Sequence, residues 1–393
     1  MGASMGGLRS AESLRKFGFA GDITLVGAEK YHPYNRPPLS KDLLAHDKDI
    51  SAITFPVKHE ELRAEFILGE PATSLSVAEK RVTLSSGRSI HYDYLVAATG
   101  LRSRQMTFPN DLRKGRYSLR TYDDAKAIRF AAIPGRNAVI LGAGFIGLEL
   151  SATLKKLGCD VSVVAIEDTP LASILGKEFG QEVQRRHEAE GVHFYLGSSV
   201  KNLIGDSEVS GVVLSSGETL PADIFIEAVG SVANVEWLEG NDLDLTNGVL
   251  VDPTLRAMCN DGSTLDDLFV VGDIARFPYT HNSLPARRIE HWNIPIESAR
   301  RVGREISHHV KPGSVLDYEL GERFNPVPSF WSDQFSISIL SYGEPKLADE
   351  VFMIEGSLDS EFVFGYRRNG NFVGVAGIGM RREVNKLRSE IRL

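Results

Sequence analysis

The chain predicts an α/β fold: two Rossmann-like dinucleotide-binding units, the second inserted in the first, followed by a C-terminal α+β domain. Three observations carry this. Residues 138–141, AVIL, form a short apolar run that leads at once into Gly142-x-Gly144-x-x-Gly147 and a helical pattern. The chain opens with the same spacing, Gly2-x-Ser4-x-x-Gly7, serine taking the middle place. After each motif comes the same order of strand, meander and short buried strand ending in glycine. Such an internal duplication is more specific than either motif alone.

Strand, tight turn and helix N-terminus together cradle a dinucleotide pyrophosphate. Gly142 makes the turn, Gly144 lets backbone approach phosphate, and Gly147 lets the helix pack on the strand. Unpaired N–H groups and the helix dipole face the anion. Phe145 and Ile146 follow as the first helical residues.

Taken in order, residues 1–7 are already inside a turn, and the strand expected before Gly2 is missing. Leu8, Ala11, Leu14 and Phe17 then share one helical face. Residues 22–27, DITLVG, read as a strand. Glu29 after it is either the acid that binds a ribose or a solvated turn residue. Residues 31–41, YHPYNRPPLSK, make a loop stiffened by prolines, with Ser40 a candidate cap for the next helix. Arg36 and Lys41 project from it. Residues 66–94, which include Ala72, read as an antiparallel meander with a turn at 85–88. A buried strand, 94–98, ends in Thr99-Gly100.

The second unit repeats this order. Residues 160–165 are a strand, 193–219 a meander, and 224–229 a strand that ends at Val229-Gly230. Ala165 stands where an acid would select NADH, with Glu167 and Asp168 close behind. No arginine at the strand end favours a 2′-phosphate, so NADH is preferred. Residues 268–275, LFVVGDIA, form an apolar strand ending in Gly272-Asp273. That aspartate suits either a sugar hydroxyl or an ordinary helix cap. Glu290-His291-Trp292-Asn293 opens a helix that continues through Ile306. From Asp317 short strands take over, and residues 383–391 end the chain as a helix. The expected domains are 1–107 with 234–315, then 108–233, then 316–393.

Composition bounds the function. The 393 residues are 42% apolar with a net charge of −8, which suits two or three domains and argues against general nucleic-acid binding. No apolar run nears the roughly 20 residues of a membrane span, and no signal peptide is visible, so a cytoplasmic protein is expected. Cys159 and Cys259 make no CxxC, leaving a disulfide framework, zinc site or dithiol centre unsupported. No metal site is expected.

With these residues placed, the sequence resembles the two-dinucleotide flavoprotein reductases, and among them the FAD-dependent NADH:ferredoxin reductases that serve aromatic-ring dioxygenases and class I cytochrome P450 systems. The resemblance rests on RPPLSK at 36–41, ATG at 98–100, GAGFIGLE at 142–149, VGDIA at 271–275, EHWN at 290–293 and FWSDQ at 330–334. It covers the chain apart from the missing first strand. Departures are Ser4, Ala28, Ala165 and Ala233.

The resemblance implies that Gly2, Ser4 and Gly7 hold the FAD pyrophosphate, with Glu29 near the ribose and Arg36 beside the phosphates. Lys41 would lie near the flavin ring, Ala72, Thr99 and Gly100 would border the FAD site, and Gly272-Asp273 would meet the ribitol. Trp292 would stand at the pyrimidine end of the flavin, and Glu290 and His291 beside it would also bind cofactor. Gly142, Gly144, Phe145, Ile146, Gly147, Glu167, Val229 and Gly230 would take NADH, and Trp331 would wall the flavin–nicotinamide contact. It further implies hydride transfer from NADH to FAD, then single electrons to a [2Fe-2S] ferredoxin, with Lys41 and Glu149 paired where hydride crosses. A monomer or weak homodimer is expected.

An acidic ferredoxin meeting an acidic chain needs local basic residues, and Arg287, Arg288, Arg300, Arg301 and Arg304 cluster around EHWN. The residues leave two alternatives open: an FAD/NADH reductase for rubredoxin, a quinone or dehydroascorbate, and a nucleotide-binding protein without turnover.

Overall fold

The computed structural model describes residues 1–110, 112–279, 284–313 and 323–392. The second unit is built on a five-stranded parallel sheet, in the order His193–Tyr195, Asp160–Val164, Asn137–Leu141, Ile224–Glu227, Arg116–Ser118. Parallel strands covered on both faces read as continuous apolar runs, and Ala138, Val139, Ile140 and Leu141 are all buried. Gly142, at φ +116°, turns the chain into the Phe145–Lys156 helix.

The first unit has the same plan with its middle strand reduced to a stub. Ile23–Gly27 pairs in parallel with Ala64–Leu68, and Leu95–Ala97 with Thr264–Val270. Among the described residues these halves are not paired with each other. Met1 and Gly2 alone stand between them. Gly2 N–H donates to Val26 O and Ala98 N–H to Met1 O, each at 2.7 Å. The second unit has the same two bonds, Gly142 N–H to Val164 O and Ala228 N–H to Leu141 O, each at 2.8 Å. So the turn has the same geometry in both units.

The meanders differ from the sequence reading, and in the same way in both units. Residues 64–68 belong to the parallel sheet, and the antiparallel meander is Ala72–Ser76, Arg81–Leu84 and Ser89–His91. Likewise His193–Tyr195 is parallel, and the meander is Val200–Ile204, Gly211–Leu214 and Thr219–Pro221. The parallel strand at each sheet edge is half exposed, so its apolar and polar residues alternate as in a meander.

Three helix expectations are also corrected. The helix after EHWN is Ile294–Val310, with Pro295 in its first turn, so EHWN precedes it. Ser40 caps nothing, because its hydroxyl is bonded elsewhere, as described below. The last helix is Arg381–Leu387, followed by a 3-10 turn, Arg388–Glu390. The apolar strand 268–275 is instead Thr264–Val270, and Asp273 sits in a 3-10 turn, Gly272–Ile274.

The N-terminal helix, Met5–Lys16, buries Leu8, Ala11 and Leu14 and lies against the Ile294–Val310 helix at Gly303. A Cβ there would come within 2.3 Å of Ser13 Oγ. The C-terminal sheet is antiparallel, in the order Ser329–Gln334, Ile337–Gly343, Asn371–Ile378, Phe362–Arg368, Glu350–Gly356. Its core meets the second unit where Phe179 packs edge-on against Phe362, ring centres 5.2 Å apart. The expected start at Asp317 and the 315/316 boundary lie outside the described residues. No helix among the described residues is long and apolar enough to cross a membrane.

Candidate functional site

A cleft of about 1390 Å³ opens where the two units and the C-terminal sheet meet. Of the residues singled out in the sequence, Gly2, Ser4, Glu29, Arg36, Lys41, Ala72, Thr99, Gly100, Phe145, Ile146, Glu149, Gly272, Asp273, Glu290, His291, Trp292 and Trp331 line it. Gly7, Gly142, Gly144, Gly147, Glu167, Val229 and Gly230 are not in its wall. They gather at the C-terminal ends of the parallel strands or in the helix that follows, where open α/β sheets bind ligands.

The glycines divide by what surrounds them. A Cβ on Gly7 would lie 2.0 Å from Gly2 O, and one on Gly147 would lie 2.1 Å from Gly142 O. On Gly2 it would meet Ala98 O at 2.1 Å, and on Gly142 Ala228 O at 2.3 Å. These four hold the turns closed. Gly144 is different, since a Cβ there meets nothing within 4 Å. The middle position faces open space, as a cradle for an anion requires.

Charged side chains crowd the first unit's end of the cleft. Arg36 donates from Nη2 to Glu29 Oε1 at 2.6 Å and from Nη1 to Arg120 O at 2.6 Å. Tyr34 OH donates to Glu29 Oε2 at 2.5 Å. Both Glu29 oxygens are thus engaged by its own unit. Arg120 Nη2 lies 3.3 Å from Asp273 Oδ2. Burial raises the Asp273 carboxyl above its usual range, opposed by Arg120, and burial lowers the Arg120 guanidinium. Arg120 went unseen in the sequence. It follows a strand of the second unit and reaches the first, a contact no local pattern encodes.

The aromatic wall forms at the other end. Trp292 and Trp331 meet edge-on with ring centres 5.6 Å apart, and Trp292 Nε1 donates to Asn35 Oδ1 at 3.1 Å. His291 packs against Phe330, and Phe330 against Phe145. His291 Nδ1 is buried without a hydrogen-bond partner among the described residues. An orphaned nitrogen beside an open cleft fits a site built for a polar ligand.

Between these ends stand Lys41 and Glu149. Lys41 Nζ is 2.7 Å from Glu149 Oε1, with side-chain exposures of 19% and 7%. Ser40 Oγ donates to Glu149 Oε2 at 2.5 Å, and Thr153 Oγ1 donates to Ser40 O at 2.7 Å. Ser332 Oγ donates to Glu149 Oε1 at 2.6 Å. The carboxylate therefore receives donors from the proline-rich loop and the C-terminal sheet together. A desolvated ion pair persists when its remaining lone pairs are satisfied in this way.

The arginines around EHWN do not form the exposed basic surface that their spacing suggests. Arg287 pairs with Glu344, Arg288 with Glu290, and Arg301 with Glu305, with arginine exposures of 17%, 10% and 7%. Arg304 stacks over Phe17, and Arg300 is the exposed member of the five.

The family described as pyridine nucleotide-disulphide oxidoreductase matches residues 1–299. Rhodocoxin reductase of Rhodococcus erythropolis is 32% identical over 367 residues, 92% of this chain and 81% of that protein. The probable ferredoxin reductase CtmF of Castellaniella defragrans is 30% identical over 383 residues, 95% and 88% of the two. A chain of the covalent putidaredoxin reductase–putidaredoxin complex superposes with a TM-score of 0.90 at 27% identity, covering 100% of this chain and 91% of that one. The ferredoxin reductase for the CYP199A2 system of Rhodopseudomonas palustris gives 0.89 at 29% identity, with 99% and 92% covered. Duplicated nucleotide cradles, a shared cleft and these likenesses agree: the chain belongs to the pyridine nucleotide-disulphide oxidoreductase family.

Proposed function

We propose that this protein is an FAD-dependent NADH:ferredoxin reductase feeding electrons to an oxygenase. The observation that carries the reading is the Lys41–Glu149 ion pair, which joins the two nucleotide units inside one cleft. FAD bound there would accept hydride from NADH and release electrons one at a time. The chain's own part is to bind, orient and shield.

Gly2, Ser4 and Gly7 would serve the FAD pyrophosphate, with Arg36 and Arg120 offsetting its charge. Asp273, an acceptor at the cleft floor, would take a ribitol hydroxyl. Gly142, Gly144 and Gly147 would serve NADH, with Phe145 and Ile146 beside it. Ala165 is too small to exclude a 2′-phosphate, whereas Glu167 disfavours one by charge, so NADH is the preferred donor. Lys41 holds positive charge in the cleft, and Glu149 fixes its direction and offsets its burial. Trp292 and Trp331 exclude water from one wall.

On this reading residues 1–107 with 234–315 serve FAD, 108–233 serve NADH, and 316–393 form the C-terminal domain. The acceptor is a ferredoxin, a reading supported by relatives named ferredoxin reductase, and on the family resemblance a [2Fe-2S] one, with the protein acting in the cytoplasm as a monomer or weak homodimer. Purified protein should be yellow, bleach on addition of NADH, and reduce a ferredoxin faster than a rubredoxin or a quinone. Flavin that NADH leaves oxidised overturns the reading.

A further inference from the structure

A buried polar chain runs from Glu149 away from the cleft. Ser332 Oγ meets Glu149 Oε1 at 2.6 Å, and Gln334 Nε2 meets Ser332 Oγ at 2.9 Å. Gln334 Oε1 lies 2.8 Å from His187 Nε2, and His187 Nδ1 lies 3.2 Å from Ser151 Oγ. All five side chains are buried. They come from the Phe145–Lys156 helix, the Ser329–Gln334 strand and the Lys177–Ala189 helix.

Valence orders the hydrogens. An ionised carboxylate only accepts, so the Ser332 hydroxyl donates to Glu149. Its lone pair then takes the Gln334 N–H. The Gln334 carbonyl faces His187 Nε2, which must carry the hydrogen. His187 Nδ1 is then the bare nitrogen, and the Ser151 hydroxyl 3.2 Å from it donates to Leu148 O at 2.8 Å. From His187 onward each link donates toward Glu149. Burial lowers the His187 pKa to about 4, so the imidazole stays neutral and its single N–H stays committed.

Strand alternation explains the placement. Phe330, Ser332 and Gln334 share one face of their strand, and they meet Phe145, Glu149 and His187 in turn. Apolar residues would fill the same space without a polar network to satisfy. A fully satisfied one fixes a single geometry.

We propose that Ser332, Gln334 and His187 are positioning residues for the reductive step, forming a one-way hydrogen-bond relay that holds the Glu149 carboxylate against Lys41. The relay ties that pair to the C-terminal sheet and the Lys177–Ala189 helix. It rests on the reading of Lys41 and Glu149 given above.

The test uses the FAD-loaded protein. Ser332→Ala should slow reduction of bound FAD by NADH about tenfold, the effect of one charge-assisted bond. FAD retention should be unchanged, and the flavin midpoint potential should move more negative. Lys41→Ala/Ser332→Ala should be no slower than Lys41→Ala, since Ser332 acts through the pair. Nitrogen-15 spectra should show neutral His187 protonated at Nε2. A wild-type rate and potential for Ser332→Ala, beside a slow Lys41→Ala, would overturn the relay alone. So would multiplying effects in the double variant, or a hydrogen on Nδ1. A wild-type rate for Lys41→Ala overturns the reading of the pair itself.

Discussion

Lys41 Nζ stands 2.7 Å from Glu149 Oε1, and these two residues come from different nucleotide units. The proline-rich loop of one unit thus touches the helix that follows the glycine turn of the other. Ion pairs this shielded differ from surface pairs, because removing one partner strands the other charge.

Lys41→Ala should slow FAD reduction by NADH about 100-fold, the scale of losing one preorganised charge, while FAD binding changes little. Glu149→Gln should slow it less, since the amide keeps the shape. Glu149→Ala should also destabilise the fold, by about 3 kcal/mol, because Lys41 is then unpaired. Stopped-flow reduction and urea unfolding read these effects, and unchanged reduction in Lys41→Ala removes the pair from the reductive step.

Gly144→Ala should fold normally and raise the KM for NADH. Gly142→Ala and Gly147→Ala should not fold stably, because their Cβ atoms would lie 2.3 and 2.1 Å from backbone oxygen. Gly7→Ala should fail in the same way, at 2.0 Å from Gly2 O. Circular dichroism and NADH titration separate the two classes. A well-folded Gly147→Ala with an ordinary KM contradicts the packing argument.

Arg120 and Asp273 should act together on FAD retention. Asp273→Ala removes an acceptor in the cleft, and Arg120→Ala removes a cation that also bonds Leu101 O at 3.1 Å. Each should weaken FAD binding by about tenfold or more, and the double change should cost less than the sum, as expected for residues in contact. Flavin release on gel filtration gives the readout, and full retention in both single variants counts against their place in the FAD site.

Stability should fall as pH drops from about 6.5 toward 4. His187 and His291 are both held neutral by burial, each with its pKa lowered from 6.5 to about 4, and His291 also faces the Lys346 charge. The unfolded chain binds protons at these sites below 6.5, while the folded chain does so only near 4. Their contribution is therefore complete above 6.5 and is lost on acidification, by roughly 1.4 kcal/mol per pH unit for each. Urea midpoints at pH 7, 5.5 and 4.5 should show the slope, and His187→Gln should reduce it. A flat profile across this window sinks the argument.

Much of the fold was legible because glycine turns and apolar runs are local. The two GxGxxG units and their buried strands follow from spacing, and the cleft residues from Gly2 to Trp331 from the family resemblance. What escaped was set by packing between distant segments. Whether residues 64–68 pair in parallel is decided by their neighbour, not by their alternation. Arg120 reaches Asp273 across 153 positions, and Ser40 gives its hydroxyl to Glu149 across 109. The arginines near EHWN read as a basic patch in sequence, yet most are spent on acids within the fold. Ser332 and Gln334 lay within a recognised motif, but only the strand's register against two helices gave them a partner.

The middle place of the glycine motif remains. Ser4 and Gly144 both sit in extended backbone, at φ −119° and −81°, which any residue adopts. Neither position depends on glycine for its conformation, unlike the closed turns on either side. The serine in the first copy is thus a variation the fold absorbs without strain. For anyone engineering this scaffold, residues 4 and 144 are the places in the two motifs where the side chain can change while the frame around it stays fixed.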